Sequence, residues 1–184
     1  MKPFKQGVFS RYCSVYSTLN SLQSLGIKLK YQQWQQLYDY LLYGINYFDA
    51  LYEINACGAD HKRLEVIFQY ASEWLEKHCK LKLVFQRPFW NKRISLNELV
   101  ECAKQQIADK KAIHLRIRSS LIDHYTVIKR ITKDRICFYD SSDLPDIPLK
   151  YVSTNDSKKY QICFRQVYFL SLEADPVLPD HDSA

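Results

Sequence analysis

Apolar side chains recur at helical intervals through the first half of the chain and at strand intervals through the second. Between Cys13 and Leu25 the positions Val15, Tyr16, Leu19, Leu22 and Leu25 form one helical stripe, and Gly26 follows where a helix end uses a left-handed residue. Tyr31 to Tyr43 carries a second stripe of Trp34, Leu37, Tyr38 and Leu41. Residues 44–59 have no clear period and are punctuated by Gly44 and Gly58. A third helix is predicted from about Asp60 to His78, with Leu64, Ile67, Phe68, Ala71 and Leu75 on its apolar face and Asp60 as N-cap. Ser95 and Glu98 read as a capping box, each able to satisfy one free backbone donor, and open a helix to about Ala108.

The strand pattern covers Leu81 to Phe85, Ala112 to Arg118, Tyr125 to Ile131, Arg135 to Tyr139 and Tyr160 to Leu172. Thr132-Lys133-Asp134 suits a tight hairpin between the third and fourth of these. Helices first and an antiparallel sheet later predict an α+β fold, with the N-terminal helical half packed on the sheet. The length suits one domain over residues 1–173, after an irregular lead-in through residue 12. Residues 174–184, rich in proline and aspartate, read as a flexible tail.

Composition narrows the function classes. The chain has 184 residues, of which 47% are hydrophobic, so a packed core is expected rather than disorder. No apolar run is long enough to span a membrane, and the N-terminus has no apolar signal core, which predicts a cytoplasmic protein. The six cysteines, Cys13, Cys57, Cys79, Cys102, Cys137 and Cys163, form no C-x-x-C pair and read as reduced thiols. His61, His78 and His114 have no ligand-like grouping, so no metal and no cofactor are expected. The net charge of +6 is spread over short lysine and arginine groups, the pattern of a solvated surface, and no nucleic-acid partner is expected. The tyrosine-rich aromatic set is read as core or cleft wall.

Three residues are candidates to carry chemistry. Cys13 opens a helix, where free N–H groups and the helix dipole favour a thiolate nucleophile. His124 opens the strand Asp123-His124-Tyr125-Thr126-Val127-Ile128. Asp140 closes the next strand, Ile136-Cys137-Phe138-Tyr139, so a short hairpin sets it beside His124, where it can accept the ring N–H and orient it. Taken singly, each has a plain reading: a buried thiol, a structural histidine and a turn-forming aspartate before Ser141-Ser142-Asp143. Asp123 adjoins His124, but neighbouring strand residues face opposite ways, which makes it a poor partner for the same ring.

Gln6, Cys13, His124 and Asp140 stand in the order of the papain-like cysteine peptidases, and the chain resembles that superfamily. The segment His-aromatic-x-Val-Ile, hairpin, apolar-x-aromatic-x-Asp is most similar to the bacterial bacteriocin-processing peptidase domain of ABC exporters, as are the preceding helix and the strand from Ala112 to Arg116. The close likeness is confined to that segment. The resemblance implies a papain-like fold, with Cys13 as nucleophile, His124 as general base and acid, Asp140 as its orienting group and Gln6 as an oxyanion donor. It also implies a thiol hydrolase cleaving a peptide, isopeptide or related amide bond in a peptide or protein substrate. The same residues serve acyl transfer, transglutamination or deamidation, and the fold also serves a non-catalytic peptide-binding module with Trp34, Trp74, Phe89 and Trp90 lining its cleft. Two departures stand out. Gln6 is one residue further from the cysteine than is usual in the family, and Cys13 is followed by Ser14-Val15-Tyr16 rather than a Gly- or Trp-containing pattern.

Overall fold

A computed structural model describes residues 2–5, 12–47 and 60–174. Helices α1 (Cys13–Ser24), α2 (Tyr31–Tyr47) and α3 (His61–Cys79) come first. Strand β1 (Leu81–Gln86) and helix α4 (Leu96–Ala108) follow, then β2 (Ala112–Arg118), β3 (Asp123–Ile131), β4 (Arg135–Tyr139), β5 (Ile147–Pro148), a single 3-10 turn (Leu149–Tyr151), β6 (Val152–Ser153) and β7 (Tyr160–Ala174). The strands form one sheet in the order β1-β7-β2-β3-β4-β5. Pairing is antiparallel throughout, except that the two-residue β6 runs parallel beside β7. The fold is α+β, as the order of periodic segments predicts.

Strand alternation divides the core in two. Val15, Leu19 and Leu22 of α1, Leu37 and Leu41 of α2, and Phe68, Ala71 and Leu75 of α3 meet Tyr125, Val127, Tyr139, Tyr168 and Leu170 on one face of the sheet. Leu99 and Ala103 of α4 meet Ile113, Leu115, Ile128, Ile136 and Phe138 on the other. A fully buried Phe or Leu contributes roughly 1.5–3 kcal/mol through this burial, so the sheet is fixed from both sides.

The helix ends follow their chemistry. Asp60 caps α3 by accepting Arg63 N–H at 2.9 Å, and Ser95 with Glu98 makes the full capping box at α4. α2 runs past Gly44, which the sequence reading had placed outside the helix. That glycine serves close packing: a Cβ there would lie 2.6 Å from the Tyr70 ring of α3. The hairpin at Thr132 closes with Thr132 N–H donating to Arg135 O at 2.9 Å. Among the described residues no helix is long and apolar enough to cross a membrane.

The aromatic cleft expected from Trp34, Trp74, Phe89 and Trp90 does not form. Trp34 and Trp74 are buried in the helical-side core, Phe89 is buried in the core of the opposite face, and Trp90 stands in solvent at 60% exposure. Aromatic residue type alone does not distinguish a core ring from a cleft ring.

Candidate active site

The first residue of α1, the first turn of β3 and the end of β4 converge at one end of the sheet. α1 is central and mostly buried, and its polar face is made of small hydroxyl residues. Ser17 Oγ and Thr18 Oγ1 donate to Ser14 O at 3.1 and 2.7 Å, and Ser21 Oγ donates to Ser17 O at 2.9 Å. Bonding back to their own helix satisfies these hydroxyls and lets the backbone lie close to the sheet. Tyr12 begins the helix without a side-chain cap, and no acidic residue stands in the first turn. The positive end of the helix dipole therefore meets no carboxylate from the helix's own first turn beside Cys13.

The hairpin joining β3 to β4 sets Asp140 beside His124. His124 Nε2 is 2.8 Å from Asp140 Oδ2, with both side chains almost fully buried. Asp140 Oδ1 accepts Ser142 N–H at 2.7 Å and Leu144 N–H at 3.1 Å. Asp140 is thus both the partner of His124 and the organiser of the following turn. The Cys13 thiol lies near enough to the same imidazole to favour its charge, and no hydrogen bond of ordinary geometry joins the two. The three residues read from sequence are brought together, from positions far apart in the chain.

Electrostatics follow from this packing. Burial opposes a charge on His124, but the Asp140 hydrogen bond and Cys13 outweigh it and push His124 up to about 9. Burial likewise opposes a charge on Asp140, yet the hydrogen bond and charge of His124, with Leu144 N–H, hold it down at about 2. Asp140 is therefore an ionised acceptor, and the His124 Nε2–H must be the donor. Thr126 Oγ1 is buried nearby, helps to hold Asp140 down, and makes no hydrogen bond of ordinary geometry.

Asp123 is engaged elsewhere. Arg116 grips both its oxygens, Nε to Oδ1 at 2.5 Å and Nη2 to Oδ2 at 2.7 Å, and Arg118 joins at 3.3 Å. Gln6 and Cys57 lie outside the described residues, as do residues 175–184. Lys5, which precedes Gln6, donates to Asp140 O at 3.4 Å and forms an ion pair with Asp143. Phe4 N–H donates to the buried Asn20 Oδ1 at 2.7 Å, and the Phe4 ring meets Trp34 edge-on. These contacts hold the lead-in against α1 and the Asp140 turn. The sequence reading missed them because nothing local marks a lysine or a phenylalanine for such a role.

A cavity of about 320 Å³ opens beside His124, walled by Leu121, Ile122, Leu144 and Pro145, with Asp143 among its lining residues. His114, by contrast, is wholly buried. Its ring nitrogens lie 3.3 Å from Ser17 Oγ and 3.2 Å from Ser21 Oγ. Burial, reinforced by the nearby His124 charge, drives it down to about 3, so it is a neutral strut between β2 and α1. Cys79, Cys102, Cys137 and Cys163 are free thiols. Among the described residues, no group of three or more His, Cys, Asp or Glu side chains is placed to hold a metal ion.

No family model matches the chain, and neither a curated protein nor a solved structure matches it.

Proposed function

We propose that this chain is a thiol-dependent hydrolase of the papain-like kind, cleaving a peptide, isopeptide or related amide bond through an acyl-enzyme on Cys13. The observation that carries this reading is the buried His124–Asp140 hydrogen bond at 2.8 Å, with the helix-start thiol of Cys13 near enough to the same ring to favour its charge. Asp140 occupies Nε2 and leaves the other ring nitrogen for the thiol.

The sulfur attacks the carbonyl carbon, and the carbonyl electron pair moves onto oxygen. His124, carrying the proton taken from the thiol, returns it to the amine as the carbon–nitrogen bond breaks. Water then loses a proton to His124, attacks the thioester and releases the acid, and the proton goes back to sulfur. The Cys13 backbone N–H and the Gln6 side-chain amide would hold the oxyanion. The cavity beside His124 is lined by Leu121, Ile122, Leu144 and Pro145 together with Asp123, Ser142 and Asp143, and has room for a substrate side chain next to the reacting bond.

Incubation of the full chain with a complex peptide mixture tests this. New termini should appear with the native protein and not with Cys13→Ala, and acid quenching should trap a mass increase on the Cys13 peptide. Undiminished cleavage by Cys13→Ala would overturn the mechanism.

A further inference from the structure

β7 breaks its ladder where it passes β2. Leu115 pairs with Val167 and Ile117 pairs with Ile162, so Cys163, Phe164, Arg165 and Gln166 stand against Arg116 alone. β1 pairs with β7 only from Phe169 onward, and β6 only at Tyr160 and Gln161. The four bulged residues therefore have no strand partner among the described residues. A bulge of this kind turns side chains and free backbone groups away from the ladder.

All four bulged residues line a cavity of about 790 Å³. Arg93 enters it from the connection before α4, Arg118 from the end of β2 and Arg165 from the bulge itself. Asp156 is the one carboxylate among the residues that line it. Arg118 is already shared with Asp123. Among the described residues Arg165 stacks on Phe164 without forming an ion pair, and Arg93 forms neither an ion pair nor a hydrogen bond. The cavity thus carries more positive charge than the described residues neutralise.

Its position bears on the site. Ile117 pairs with His124 on one side and with Ile162 on the other. Two strand spacings separate β7 from β3, about 10 Å, the reach of about three residues of extended chain.

We propose that this cavity binds an acidic segment of the polypeptide substrate, carboxylate side chains lying about three residues from the bond attacked at Cys13. The assignment rests on the reading of Cys13 as nucleophile. A peptide is favoured over a compact oxyanion because the arginines come from three separate elements around a large space. The bulge backbone, outside the strand ladder, and the side-chain amides of Asn155 and Gln161 also offer hydrogen bonds to a peptide main chain.

Fluorescence anisotropy of a labelled hexaglutamate peptide on the full-length protein tests the cavity without turnover. Its failure is therefore distinct from failure of the catalytic reading. Arg93→Gln combined with Arg165→Gln should weaken binding at least fivefold. Lys110→Gln combined with Lys111→Gln removes the same charge beyond the far end of α4, about 20 Å away, and should change it less than twofold. Hexaglutamine should not bind. Equal weakening by both pairs, or no hexaglutamate binding, would overturn the proposal. Inorganic phosphate displacing the peptide at equal molar concentration would overturn its assignment to a peptide segment.

Discussion

Asp140 does two things with two oxygens. Oδ2 takes the His124 N–H and Oδ1 takes two backbone N–H groups of the following turn, so the carboxylate cannot rotate away from the ring. That fixation is why His124 stays charged up to about 9 despite burial. In Asp140→Asn the charge disappears, and with it the main influence raising His124, which should titrate nearer its ordinary value. The imidazolium is then lost at lower pH, so the alkaline limb of the pH–rate profile should move down from about 9. Rates should fall less than in His124→Ala, which loses proton transfer itself, about 10²- to 10⁴-fold. An alkaline limb that stays in place in Asp140→Asn would contradict the pairing. The meeting of His124 with Asp140 was legible in the sequence because a short hairpin sets the end of β4 beside the start of β3. The Arg116–Asp123 grip and the Lys5–Asp143 pair were not, because they depend on register and on chain segments meeting at long range.

At the scale of elements, α1 and β2 are joined through a histidine that has no part in the chemistry. His114 is neutral in the folded protein, being held down at about 3, and titrates in the ordinary range when unfolded. Between those limits the unfolded chain binds a proton that the folded chain refuses. This contribution therefore destabilises the fold progressively as pH falls below about 6.5. By pH 5 it amounts to about 2 kcal/mol. Urea denaturation at pH 7.5 and pH 5 should show that loss in the native protein and a clearly smaller one in His114→Gln. Identical pH dependence would show that His114 is not the titrating strut. Capping boxes and long periodic runs made α1, α3, α4, β2 and β4 readable close to their true ends. β5 and β6 were not, since two-residue strands carry no period and exist only through their partners. Gly44 misled the reading because its tertiary use, contact with Tyr70, outweighs its low helix propensity.

For the whole molecule, helices on one face and α4 on the other fix the sheet, and one end of that sheet gathers the thiol, the imidazole and the carboxylate. The α+β class was legible because helical and strand periods occupy different halves of the chain. The bulge in β7 and the cavity over it were not, because a register jump leaves no mark in residue types. Site-resolved iodoacetamide labelling at pH 7 bears most directly on the proposed role of this end of the sheet. Burial raises the thiol pKa of Cys79, Cys102 and Cys163, which should make them slow. Cys13 should be alkylated at least about tenfold faster than these three, and His124→Ala should remove that advantage. Cys13 reacting no faster than the other thiols, or equally fast without His124, would contradict a nucleophile activated by this imidazole.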